Sequence, residues 1–270
     1  MDQHEIAGAI FSISTPGVRL DPSERGVAEA RAMARRVNEF AAETGCAHPH
    51  RFGFFATLTL PDVDGALAEA AYAFDVLGAD GVVLLANTHG RYLGEPADEP
   101  LLAELDRRGA VVFVHPSTLP SPPVAGIPPF AADFLLDTTR AAFRLVQSGA
   151  MSRYRKLKII LSHAGGFVPY ASHRLIVTLL MSGGRSPAEL LEDFRSFYFD
   201  TALSGSPAAL PSLLAFAKPG HVLYGSDWPF APTTAASYFT SQLDEYTALD
   251  AAGHRALDRD NALALFNKEF

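Results

Sequence analysis

The sequence predicts an α/β fold, a (β/α)8 barrel of the TIM type, and three observations predict it. Short apolar, β-branched runs alternate with amphipathic stretches of helical spacing along the whole chain, the pattern of a parallel sheet wrapped by helices. Three of the apolar runs end in a histidine or an aspartate near a Pro or Gly: Val114-His115-Pro116, Ser162-His163-Ala164-Gly165-Gly166 and Tyr224-Gly225-Ser226-Asp227-Trp228-Pro229-Phe230. The chain of 270 residues, 48% hydrophobic, suits one large core, and barrels of about 250 residues are usually one domain. We therefore expect a single domain over residues 1–270.

Strand-like runs occupy Ile6 to Ser14, Arg51 to Leu60, Gly81 to Asn87, Ala110 to His115, Lys158 to Ala164, Ser196 to Thr201 and His221 to Asp227. Each is rich in apolar residues, as a strand buried on both faces requires. Helical spacing fills Ser23 to Thr44, Val63 to Leu77, Pro100 to Arg108, Leu135 to Ser148, Val168 to Met181, Pro207 to Ala217 and Ala235 to Ala251. Capping signals open three of them: Pro22-Ser23-Glu24, Asp62 with Asp64, and Ser206-Pro207. The count of strands is seven, one short of a closed barrel.

Charge and composition exclude several classes. A formal net charge of −8 with no Lys/Arg run argues against a nucleic-acid partner. No stretch reaches the roughly 18 apolar residues of a membrane span. Cys46 is the only cysteine, so no intrachain disulfide forms and a cytoplasmic location is expected.

In a barrel all strand carboxyl ends meet at one mouth, which places His115, His163 and Asp227 on the same rim. Two imidazoles and a carboxylate suit Zn²⁺, the expected metal, or Mn²⁺. His89, in Asn87-Thr88-His89-Gly90 on the same rim, is a candidate substrate contact, as are Trp228, which offers a ring wall, and Arg174, which offers a cation to Asp200 or to a substrate carboxylate. Ser14 and Thr15 are candidate hydroxyl contacts. The Pro-rich segment from Pro120 to Pro129 follows His115 and is placed to cover a site. His48-Pro49-His50 has chelating spacing but precedes a strand, at the opposite face, and is rejected.

Together these motifs resemble the amidohydrolase superfamily, in the group that includes aminocarboxymuconate-semialdehyde, γ-resorcylate and 6-methylsalicylate decarboxylases. The matching pieces run in order through the chain: Ile13-Ser14-Thr15-Pro16-Gly17, Tyr92-Leu93-Gly94-Glu95-Pro96, Val112-Phe113-Val114-His115-Pro116, Asp137-Thr138-Thr139-Arg140, Ser162-His163-Ala164-Gly165-Gly166 and Gly225-Ser226-Asp227-Trp228-Pro229-Phe230. The resemblance implies one divalent metal, with His115 and Asp227 as ligands and His163 beside the metal or substrate. It implies catalysis by His163 and Asp227, a small carboxylic acid substrate and a homodimer; the Leu/Ala/Phe-rich segment Ala256 to Phe270 is a candidate for the dimer contact, or for closing the barrel base. The family's first strand with its paired ligands has no counterpart here, in keeping with the count of seven, and the expectation is a full protein about 40 residues longer, since a βα unit takes roughly 30 residues. The activity implied is non-oxidative decarboxylation of a small aromatic or unsaturated acid. A metal-dependent hydrolase of an ester, lactone or amide is the second reading, and an inactive binding protein the third.

Overall fold

The computed structural model describes residues 1–268, so the last two residues of the expected dimer segment, Glu269 and Phe270, lie outside the described residues. Among the described residues, seven parallel strands alternate with helices: β1 (Ala9–Phe11), β2 (Phe52–Thr57), β3 (Gly81–Leu85), β4 (Val111–His115), β5 (Lys158–Leu161), β6 (Tyr198–Asp200) and β7 (Val222–Leu223). This is the α/β architecture and the strand count that the sequence predicts. The chain divides into two compact units, Met1–Ile159 and Ile160–Lys268, and the boundary falls inside β5.

In the first unit β1, β2, β3 and β4 are neighbours in that order, each register in step, with Phe55 opposite Gly81 and Leu85 opposite His115. A Cβ on Gly81 would lie 2.4 Å from the Val111 carbonyl, so only glycine lets these strands pair as closely as they do. The helices are α1 (Arg25–Ala47), α2 (Val63–Asp75), α3 (Glu99–Arg108) and α4 (Asp133–Gln147). Alanine carries the buried face of α1: Ala30 and Ala34 pack with Val18, Ile13 and Met33. Small side chains bring the α1 backbone close enough for Asn38 to act as a strand mimic. Its Nδ2 donates to the Thr57 carbonyl at 3.0 Å and its Oδ1 accepts from the Thr57 N–H at 2.8 Å. The same amide donates to Glu69 at 2.8 Å, and Arg35 pairs with that buried carboxylate at 2.9 Å, so α1, α2 and β2 share one satisfied polar network.

The second unit carries the end of β5 beside β6 and β7, with Leu161 opposite Phe199 and Phe199 opposite Val222. Phe194, Phe197 and Phe199 are fully buried and form its apolar centre. Its longer helices are α5 (Val168–Met181), α6 (Pro187–Arg195), α7 (Leu210–Phe216) and α8 (Thr233–Asp244). Helix α6 is not among the helices expected from the sequence. Ser186-Pro187 followed by Glu189 is the signal that marks it: the Ser186 hydroxyl accepts from the Glu189 N–H at 3.3 Å while the Glu189 carboxylate accepts from the Ser186 N–H at 2.7 Å. The helix expected from Pro207 begins only at Leu210, because Ser206 accepts the Ala209 N–H and shapes a turn first. Among the described residues no helix is long and apolar enough to cross a membrane.

Asp137, at 0% exposure on α4, gathers the first unit's strand-end loops. Its carboxylate accepts from Asn87 Nδ2 at 2.8 Å, the Tyr92 hydroxyl at 2.7 Å and the Ser117 N–H at 2.8 Å. Asn87 and Tyr92 pair across a two-stranded hairpin that the sequence reading ran together with β3. Burial raises the pKa of Asp137, against the pull of these three donors. Replacing the acid leaves buried donors unpaired, so Asp137→Ala is expected to cost about 3 kcal/mol, measured by urea denaturation. A loss within error of zero would show that the three donors find other partners.

Candidate active site at the strand ends

His115 closes β4 at 7% exposure. Its Nδ1 lies 2.8 Å from the Pro116 carbonyl, which only accepts, so Nδ1 carries the proton and Nε2 presents its lone pair. A second partner that fixes the tautomer is how ligating histidines are oriented. The Ser14 hydroxyl lies 3.4–3.5 Å from the ring nitrogens, and the Phe134 ring sits edge-on at 6.2 Å. Ser14, expected as a substrate contact, thus lies against a histidine, and Thr15 bonds the Ser117 hydroxyl at 3.2 Å. Phe134 escaped the sequence reading, since an aromatic at the start of an amphipathic helix carries no signal of its own.

In the second unit His163 and Asp227 come together, with Nε2 to Oδ2 at 3.7 Å. His163 is 6% exposed and starts a single turn of tight helix, His163–Gly165, directly after β5. His163, Ala164 and Asp227 all hold left-handed backbone, with φ of 55°, 55° and 57°, a conformation that side chains with a Cβ adopt at a cost and that persists where surrounding bonds impose it. Asp200, at the end of β6, holds the His163 turn: its Oδ1 accepts from the His163 N–H at 2.7 Å and from the Ala202 N–H at 3.1 Å. The Thr201 hydroxyl accepts from the Gly225 N–H at 3.2 Å and ties the end of β6 to the Asp227 loop. Gly225 is tightly packed, because a Cβ there would stand 3.0–3.2 Å from the Asp200 side chain, which would have to give by a few tenths of an ångström. Gly165 is under a similar constraint, as a Cβ would meet the Phe199 ring at 2.7 Å.

The electrostatics follow from this packing. Burial works to lower the His163 pKa, but its bond with Asp227 and the charges of Asp200 and Asp227 outweigh that, and the net direction is upward. Asp200 is pushed up to about 6 by burial, opposed by His163 and by the two backbone donors. The pair His163–Asp227 can therefore hold a proton between imidazole and carboxylate, or offer one nitrogen and one oxygen to a cation.

The other expected residues have different surroundings. His89 donates Nε2–H to the Arg19 carbonyl at 2.9 Å. Arg174 is exposed on α5, while the buried carboxylate of Asp200 is taken up by backbone donors. Trp228 and Phe230 are 65% and 63% exposed. The Pro-rich segment after His115 exposes Val124, Ile127 and Phe130. His48 and His50 are exposed just before β2, as their rejection requires.

Comparison with known proteins places these features. A 6-methylsalicylic acid decarboxylase of Penicillium expansum is 42% identical over 273 residues, a match that covers 98% of this chain and 83% of that protein. The crystal structure of a 2,6-dihydroxybenzoate decarboxylase complexed with 2,6-dihydroxybenzoate superposes with a TM-score of 0.85 at 26% identity, covering 99% of this chain and 86% of that one. A dihydroxybenzoic acid decarboxylase of Polaromonas sp. JS666, crystallised with manganese and the inhibitor 2-nitroresorcinol, gives a TM-score of 0.83 at 25% identity, covering 99% and 83%. The sequence pattern of the amidohydrolase family, Amidohydro_2, matches residues 11–268, and the chain belongs to that family.

Proposed function

We propose that this protein is a metal-dependent, non-oxidative decarboxylase of small aromatic carboxylic acids of the 2-hydroxybenzoate kind. The observation that carries the reading is the His163–Asp227 pair at 3.7 Å, held by a buried aspartate in left-handed backbone, in a chain 42% identical to a 6-methylsalicylic acid decarboxylase. The hydrolase reading finds no such support, since these relatives and neighbours are named decarboxylases.

The donor types fit one divalent ion: His115 offers an imidazole nitrogen in the first unit and Asp227 a carboxylate oxygen in the second, with His163 beside Asp227 as the acid. When bound, such an ion supplies a Lewis acid for the substrate's carboxylate or neighbouring hydroxyl. Zinc is the metal expected from the residue types, and the manganese in a neighbour supports manganese equally. His115 presents Nε2 because Pro116 holds its Nδ1 proton. His163, raised in pKa by its acidic neighbours, holds a proton that it passes to the ring carbon. The new C–H bond forms there as the C–C bond to the carboxylate breaks, and the released pair of electrons restores the aromatic ring as CO₂ leaves. Asp227 holds the imidazole in place and shares its proton. Trp228 and Phe230 supply an apolar wall, and His89 and Arg174 contact the substrate's polar edge. We read the assembly as a cytoplasmic homodimer, which the family resemblance and the exposed Tyr170, Val177 and Met181 on α5 support.

The protein is expected to release CO₂ from 6-methylsalicylate, to lose that activity on chelation and to regain it with Mn²⁺ or Zn²⁺. Asp227→Asn should lower the rate by about 10²-fold or more, the usual contribution of a proton-transfer pair. Ester or lactone cleavage without CO₂ release would overturn the reading.

His163 titration gives a separate check. Because the charge of Asp200 helps to raise it, the midpoint in metal-free protein, read from imidazole NMR signals, is expected to fall in Asp200→Asn. An unmoved midpoint would mean that Asp227 alone sets it.

A further inference from the structure

Arg19 is 6% exposed, and its backbone carbonyl accepts from His89, whereas its guanidinium has no part in the mechanism above. One edge of its guanidinium is used: Nη2 donates to the carbonyl of Ser23 at 2.8 Å and reaches that of Pro22 at 3.4 Å. Its Nε and Nη1 are buried with no hydrogen-bond partner among the described residues. Nearby Asp21 is within electrostatic reach of Arg19, but its two oxygens accept from the Ser23 N–H and hydroxyl, each at 2.8 Å, rather than from the guanidinium. A guanidinium stays charged at every physiological pH, and a buried charge with open donors is costly until an anion or acceptor meets it.

Arg19 also lines a small pocket at the carboxyl ends of β1, β2 and β3, whose walls are otherwise apolar apart from Thr57 and Thr88. No carboxylate belongs to the lining. The room inside is about 20 Å³, against the roughly 10–15 Å³ needed for one water on the same measure. That is room for about one small guest of water size or somewhat larger. The apolar walls favour a weakly hydrated, singly charged ion over a multiply charged one.

We propose that Arg19 and this pocket bind one small monovalent anion of halide size. Arg19 supplies the charge and the Thr57 and Thr88 hydroxyls are the neutral donors. The test of this site reads chloride binding and does not depend on decarboxylase activity.

The test uses the full chain, exchanged into gluconate buffer and titrated with chloride at constant ionic strength. Chloride NMR should show excess line broadening that saturates and is displaced by bromide, and Arg19→Gln should abolish it. The thermal midpoint of the unmodified protein should rise saturably, by about 3 °C at ten times the dissociation constant. Broadening that persists in Arg19→Gln, or that bromide does not displace, would mean adventitious surface binding and overturn the proposal. Should Arg19→Gln fail to fold, the unmodified protein decides: no saturable rise in midpoint and no bromide displacement would overturn the site.

Discussion

The buried carboxylate of Asp200 is the constraint on which the second unit's strand ends depend. A carboxylate at the end of an apolar strand is stable only where donors meet it, and here the donors are the backbone N–H groups of His163 and Ala202. One acceptor therefore fixes the turn after β5 and the turn after β6 together. The left-handed backbone of His163 and Ala164 is the geometric consequence, and Gly225 is the steric one, since a residue without a Cβ lets the chain before Asp227 pass close to Asp200 without displacing it. The same charge then reaches the imidazole and holds its proton more firmly.

The first unit solves a parallel problem with Asp137. There, too, a fully buried aspartate accepts a backbone N–H just beyond a strand-end histidine, at Ser117 rather than at the histidine itself. Burial raises both acids, and in both cases the carboxylate binds several segments at once, so each acts as a knot rather than as one hydrogen bond. The histidines differ in what remains on offer. Pro116 takes the Nδ1 proton of His115 and leaves Nε2 as a donor of electrons, whereas His163 faces Asp227 and is biased towards keeping a proton. That difference is what divides ligand from acid in the mechanism proposed.

Strand number and order were legible because each strand is an unbroken apolar run closed by Pro, Gly or a polar residue, a local signal that needs no partner. His115, His163 and Asp227 stood out for the same reason. Strand lengths were legible only roughly: β7 is reduced to Val222–Leu223 because Tyr224 donates its N–H to Leu257 instead of to a neighbouring strand, a long-range choice that no local pattern encodes. The hairpin at Asn87 and Tyr92 was hidden because the residues that hold it include Asp137, some fifty positions later. Helix α6 was legible and missed, its capping box lying in plain sequence at Ser186 and Glu189. The open donors of Arg19 were not legible at all, since burial without a partner is a property of packing.

The most direct test of the central claim is to run the reaction with 6-methylsalicylate in D₂O and to locate the label in the product by mass spectrometry and NMR. The account predicts loss of CO₂ with a single deuterium at the carbon that carried the carboxylate, because the proton delivered there comes from an exchangeable group. Recovery of the acid unchanged, with metal bound and His163 and Asp227 intact, would contradict it.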